Sequence, residues 1–281
     1  MIKKDSNNLV SKALEGDGDA LDYLLSKVQD LIFNLSLRML GTVADAEDAT
    51  QDIFVKIMTN LNSFRDESKF ETWVFRLSKN YLINYKKTIF AQYPLNFDYY
   101  LNDIKNNTED FSQDLLTELS RKELAQELKK SCTNVLLQCF APQTRCIFIL
   151  GTMFKVDSRI ASEILGISPD NYRQKLSRAR KKMAGFLSYH CRLIETGCSN
   201  CEQRIGFTIK QKRIDTNNLS YSKLDELDED VISDCQNNME ILDEMSEVFS
   251  DLPMYKSPVS AKSFLHKLLN SSRMREIQKF H

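Results

Sequence analysis

The sequence predicts an all-α protein made of two small helical domains joined by an extended linker, with a helical C-terminal extension. Glycine (8) and proline (5) are scarce among its 281 residues, which suits helices joined by polar connectors and disfavours a turn-rich sandwich or barrel. Apolar residues recur at three- and four-residue spacing over long stretches. The length exceeds the ~100–200 residues usual for one domain, so two modest cores fit better than one large one.

The first module is expected over residues 7–88. Leu21, Leu24, Leu25, Val28, Leu31, Ile32 and Leu35 mark the buried stripe of one helix. Thr42 stands where a cap belongs for the next, and Asp45, Glu47 and Asp48 fall in its first turns, where carboxylates complement the helix dipole. Its inward face is Ala46, Ala49, Ile53, Ile57 and Leu61. A third helix is expected from about Phe70, with Trp73, Leu77 and Tyr81 at four-residue steps and Arg76, Asn80 and Asn84 as a parallel polar stripe. Lys86 and Lys87 close it with positive charge. The phase of Trp73 fits a core position at least as well as a stacking platform.

Periodicity fades over residues 89–118, where Asn, Asp and aromatic residues dominate, and an extended linker is expected. A helical pattern resumes near Leu119, is interrupted at Pro142 and defines a second module over residues 119–187. Residues 188–281 form the extension: a short cysteine cluster, an acidic stretch and a basic amphipathic segment, Ala261 to Lys279. No repeat at solenoid periods is found.

The net charge of −1 hides segregation. From Arg159 to Lys182 seven basic residues face two acidic ones, whereas from Tyr221 to Leu252 eleven acids face Lys223 alone. The first segment suits phosphate and the second repels it. Within the basic segment, Ile160, Ala161 and Ile164 can bury one face of a short helix, with Ala161 small enough for a second helix to cross close by. Gly166 permits the bend, Ser168 sits at a cap, Pro169 at the first helical position, and Leu176 anchors the second helix inward. Ser168, Asn171, Arg173, Gln174, Ser177, Arg178 and Lys181 are then the candidates for contact with DNA. A helix so shaped suits the major groove, where Arg and Gln read base edges while Lys and Arg neutralise phosphates.

The stretch from Asp45 through Ile57, followed by Phe64 through Tyr85, resembles the signature block of sigma region 2, and the helix-turn-helix with its Ser177-Arg-Ala-Arg-Lys-Lys ending resembles sigma region 4. In this order, with no larger domain between them, they resemble the extracytoplasmic-function (ECF) subgroup of bacterial RNA polymerase sigma factors. The resemblance implies that Asp45, Glu47, Asp48, Gln51, Asp52 and Phe54 dock on the β′ clamp coiled coil of core polymerase. It implies that the loop from Phe64 to Phe70, with Lys69, and the face bearing Asn80 and Asn84 capture a flipped base of the −10 element, with Lys86 and Lys87 on the backbone. The second module would read the −35 element and bind the β flap. The linker acids Asp98, Asp103, Glu109, Asp110 and Asp114 would mimic nucleic acid in the RNA exit path, a composition that an ordinary solvated linker shares. An anti-sigma factor is a further candidate partner.

The tail is read on its own chemistry. His190, Cys191, Cys198 and Cys201 offer a Cys₃His set for zinc, although adjacent His190 and Cys191 point apart on most backbones. Redox sensing, with Arg192 and Arg204 near enough in sequence to lower a thiol pKa, and an unliganded connector are the alternatives. The acidic stretch Asp225–Asp251 is expected to be an amphipathic helix, either folding back on the basic recognition helix or forming an accessory domain.

No Gly-rich phosphate cradle, Ser-His-Asp arrangement or paired carboxylates are identifiable, so an enzyme is not expected and no cofactor is required. No apolar stretch approaches the ~20 residues of a membrane span, and residues 1–10 lack the order of a secretory signal, so a cytoplasmic protein, on the nucleoid when in holoenzyme, is expected. Two other classes compete. A two-domain helix-turn-helix regulator would show alternating strands and helices in its first half, and a polymerase-binding adaptor or anti-sigma-like protein would leave the basic helix unexplained.

Overall fold

The central helix is started and stopped by its own sequence. Asp17 accepts from the amides of Asp19 and Ala20 at 3.0 Å each, meeting two of the orphan donors of α2 (Gly18–Leu40). Gly41 follows in the left-handed conformation and ends it. The computed structural model describes residues 2–65, 67–106, 121–187, 199–227, 249 and 252–270. In the first module α1 (Ile2–Leu14), α3 (Val43–Asn60) and α4 (Phe70–Ile83) pack around α2. Thr42 caps α3 as expected, its hydroxyl oxygen accepting from the Asp45 amide at 3.1 Å.

The apolar stripe of α2 is buried at Leu24, Leu25, Val28, Ile32 and Leu35, while Leu21 and Leu31 are half-buried. From Ile32 to Leu40 every residue is buried, Asn34, Ser36 and Arg38 included. Here α2 is enclosed on all sides, by α3 and α4 and also by elements much later in the chain. In α4 the expected row Trp73, Leu77 and Tyr81 is only half-buried; the core row is Phe70, Val74, Ser78 and Leu82. Ser78 can occupy it because its hydroxyl donates to the Val74 carbonyl at 2.8 Å, and that polar residue disguises the row in the sequence.

The linker is not extended over its described part. It contains α5 (Ile89–Gln92) and α6 (Phe97–Asn106). Phe97 packs on Phe140 and Phe186 at ring distances of 5.1 and 5.3 Å, and Tyr100 reaches Phe186 at 6.1 Å. The aromatic residues that break the sequence pattern are thus the anchors of α6. Asp98 is exposed, Asp103 is ion-paired to the tail, and Glu109, Asp110 and Asp114 lie outside the described residues.

The second module comprises α7 (Arg121–Leu137), α8 (Pro142–Phe148), a π turn at Ile149–Met153, α9 (Ser158–Leu165) and α10 (Pro169–Phe186). One hydrophobic cluster runs from Leu25 and Ile53 through Phe148 and Leu176 to Leu265 of the extension. Phe75 meets Phe154 edge-on at 5.8 Å, and Arg145 donates to the Met39 carbonyl. The first module and the helices α7 to α10 therefore face each other across a packed seam.

The extension adds α11 (Ser199–Lys210), packed on α7, and α12 (Ala261–Leu269), packed on α2. Between them residues 225–227 and 254–256 run antiparallel, with Leu227 N–H donating to Met254 at 2.7 Å and Lys256 N–H to Asp225 at 2.8 Å. Among the described residues this bridge is the nearest approach to a strand. The acidic stretch is described only at Asp225–Leu227 and Phe249, so its expected fold onto the recognition helix lies outside the described residues.

Candidate nucleic-acid interface

The helix-turn-helix forms as its residues dictate. Asp157 accepts from the Arg159 amide at 2.8 Å and opens α9. Gly166 closes α9 at φ 70°, a conformation that favours glycine. Ser168 then accepts from the Asn171 amide at 3.3 Å and Pro169 takes the first position of α10. The inward face of α9 is Ala161, Ser162 and Ile164, whereas Ile160 is 39% exposed, contrary to expectation. Ser162 takes its place by donating to the Arg159 carbonyl at 2.7 Å. Gly151 lets α10 approach, since a Cβ there would overlap the Leu176 side chain.

Arg173, Gln174, Ser177, Arg178 and Lys181 line one open groove and are exposed, and Asn171 is exposed on the first turn. Arg173 is bonded to Asp170 and, at 3.3 Å, to the Ser158 hydroxyl, which fixes its guanidinium near the helix start. Ser168 is exposed, but its hydroxyl serves the cap. Arg180, basic like its neighbours, turns inward and donates to the Gly151 carbonyl at 2.8 Å.

A second concavity, of about 320 Å³, lies on the first module between the loop after α3 and the face of α4. Phe64, Trp73, Arg76 and Asn80 line it together with Asn60, Ser63, Arg65, Glu67 and Ser68. The structure thus brings Phe64 and Asn80 together. Trp73, undecided from its phase alone, joins them: its ring lies stacked on Phe70 and edge-on to Phe64, both at 5.8 Å, and it is half-buried with a side in the pocket. Lys69 is exposed as the residue before α4. Asn84 is exposed but spends its amide on the Asn80 carbonyl at 2.8 Å. Lys86 and Lys87 are exposed, with Lys87 3.3 Å from Asp52.

The acidic helix divides between two tasks. Asp48 and Gln51 are exposed, but Asp45 accepts from the Thr42 hydroxyl at 2.6 Å and Asp52 accepts from the Tyr81 hydroxyl. Burial, then Asp45, Asp48 and Asp52, push the Tyr85 phenol up to about 12. Burial and the neighbouring Asp48 raise the Glu47 carboxyl above its ordinary value. Phe54 does not share this face. It is fully buried, 5.6 Å from the Phe264 ring of α12, because it falls on the side of α3 that the extension covers.

Of the cysteine cluster, His190, Cys191 and Cys198 lie outside the described residues, as does Arg192. Cys201 is buried on α11 in an apolar cluster with Leu124, Leu128 and Ile205, an environment of packing. Arg204 points to Asp103 at 2.9 Å, which commits its charge to a carboxylate. Burial alone would raise the Asp103 carboxyl, but the guanidiniums of Arg213 and Arg204 overcome it and hold it below its ordinary range. Among the described residues no group of three His, Cys, Asp or Glu side chains is placed to hold a metal, and no helix is long and apolar enough to cross a membrane.

These features define a helix-turn-helix protein with a separate, aromatic-lined polar pocket on its first helical module. Residues 24–88 match the family described as Sigma-70 region 2. The chain is 28% identical over 188 residues to the ECF RNA polymerase sigma factor SigW of Bacillus subtilis, covering 65% of this chain and 95% of that protein. It is 32% identical over 87 residues to the RNA polymerase sigma-H factor of Pseudomonas aeruginosa, covering 30% of this chain and 45% of the relative. It is 34% identical over 98 residues to the ECF RNA polymerase sigma-E factor of Haemophilus influenzae, covering 35% and 51%. The latter two matches span about half of each relative. The chain thus carries a Sigma-70 region 2 domain and is similar, over nearly the whole length of one of them, to ECF RNA polymerase sigma factors, whose family directs transcription initiation.

Proposed function

We propose that the chain binds core RNA polymerase and selects promoters by their −10 and −35 elements, acting in the cytoplasm. Residues 7–88 serve as region 2, 119–187 as region 4, 89–118 as the connection and 188–281 as an extension. The observation that carries this is the pocket on α4, within the segment matched to region 2. At about 320 Å³ it is at the small end of ligand pockets (~300–1,000 Å³), and its aromatic walls and Asn80 offer stacking and an amide for one extruded base. Asp48 and Gln51, with Glu47 beside them, offer charge to the β′ clamp coiled coil, and Lys86 and Lys87 offer charge to the strand backbone. The groove of α10 reads the −35 duplex, Gln174 and Arg178 facing bases and Lys181 phosphate. The same module would contact the β flap. An anti-sigma factor would compete for these surfaces.

Reconstitution with core polymerase on a promoter library tests the reading, and selective start sites are expected. Arg178→Ala should cost about 1–3 kcal/mol of discrimination at the base pair it contacts. Asn80→Ala should leave −35 duplex binding unchanged and lower strand opening, read by permanganate reactivity of unpaired thymines. Polymerase binding without selective starts would mark an adaptor instead.

A further inference from the structure

The extension is laid along the seam between the two modules, and it is held there by polar side chains that read its backbone. On α2, Asn34 grips Tyr255 from both sides: its amide donates to the Tyr255 carbonyl at 2.7 Å and its oxygen accepts from the Tyr255 N–H at 2.9 Å. One turn earlier Asp30 accepts from the Ser257 N–H at 2.7 Å, and Gln29 accepts from the Ala261 N–H at 3.1 Å. One turn later Arg38, fully buried, donates to the Pro253 carbonyl and, at 2.9 Å, to Asn134 of α7. Residues 30, 34 and 38 share one helix face. On α7, the buried Glu127 accepts from the N–H groups of Tyr221 and Ser222 at 2.9 and 3.0 Å. The two tail segments so held are the ones that pair with each other through Glu226 and Tyr255.

This arrangement conflicts with a bipartite promoter. Arg76 of the α4 pocket is 2.6 Å from Glu163 of α9. Pro169, the first residue of α10, is six residues further on, a reach of ~22 Å at most. With up to ~18 Å more along α10 to Lys181, the two DNA-reading surfaces lie within roughly 50 Å of each other. Elements centred near −10 and −35 are separated by roughly 85 Å of duplex at 3.4 Å per base pair, and duplex this short resists sharp bending. The modules have to part before both elements can be held.

We propose that the ribbon of residues 252–257, with α12 behind it, is an intramolecular clasp on α2 and α3, and that core polymerase displaces it. Phe264 of α12 covers Phe54 of α3, on the helix whose acidic face is assigned to polymerase. The first tail segment stays on α7, because α11 packs there and Arg204 and Arg213 tie it to Asp103 of α6. The inference rests on the reading of the chain as a promoter-selective sigma factor.

Hydrogen–deuterium exchange of the full chain, alone and with core polymerase, tests it without any substitution. The amides of Tyr255, Ser257 and Ala261 should exchange at least ~10-fold faster in the complex, while those of Tyr221 and Ser222 keep their protection. Unchanged protection of the first set in a saturated complex overturns the clasp. As a second arm, Phe264→Ala should tighten polymerase binding by roughly 3–10-fold, since less of the closed state competes; equal or weaker binding by a variant with loosened α12 also overturns it. If neither wild type nor variant binds polymerase, the functional reading itself fails and the clasp falls with it.

Discussion

Cys146 shows how much a single buried residue discloses about stability. It is fully buried in α8, and burial pushes its thiol up to about 12 from an ordinary 9.0. The folded chain keeps this proton while the unfolded chain releases it above pH 9, so the stabilisation is complete below that value and is lost as pH rises towards 12. Cys139 behaves alike, whereas burial lowers Arg145 to about 10 and acts in the opposite sense above that value. Between ~pH 8 and ~pH 10, Cys146→Ala should therefore lose on the order of 1 kcal/mol less stability than the wild type. Urea titrations at several pH values measure this, and parallel curves would sink it. No sequence pattern marks Cys146 for this role, because burial on all sides is set by neighbours from α4 and α10. Arg38 and Asn34 were illegible for the same reason: their partners, Pro253 and Tyr255, lie more than two hundred residues away.

Elements were most legible where the chain specifies its own ends. Thr42, Gly166, Ser168 and Pro169 act over two or three residues, so local chemistry suffices. Ser168 allows a test that separates a cap from a DNA contact. Ser168→Ala should cost about 1 kcal/mol of stability and Ser168→Gly only a few tenths, with the affinity of the folded protein for −35 duplex unchanged in both. Equal losses of duplex affinity in both variants, measured under conditions where each is folded, would instead make the hydroxyl a DNA contact. The rotation of α4 about its axis and the packing of the aromatic run of α6 are hidden from the sequence pattern. Ser78 on the core row and Trp73 beside the pocket invert the usual rule that the polar residue faces out, and each does so through a specific partner: the Val74 carbonyl for Ser78 and the Phe70 ring for Trp73. The pocket was half legible, since the loop from Phe64 and the amide of Asn80 follow from the resemblance, but Asn60 and Ser63 join it only through the turn after α3.

At the scale of the whole molecule, the division into modules and the shared core make different demands on cooperativity. Independent cores would unfold in separate steps, because a surface between them would be small and polar. Here the seam is apolar, with Phe75 on Phe154 and one continuous cluster reaching the extension. It is also bonded by buried polar groups, Arg38 to Asn134 and Arg145 to Met39, whose desolvation is compensated only while both sides are in place. Loss of one module would expose apolar surface on the other and orphan those donors. The free chain should therefore unfold in a single transition, with calorimetric and van't Hoff enthalpies in agreement. Fluorescence of Trp73, the one tryptophan, reports the first module, and labelling of the Cys146 thiol reports the second. Coincident denaturant midpoints from the two probes are expected. Midpoints clearly apart would mean that the modules hold together without depending on each other, and that the seam contributes far less than its burial implies.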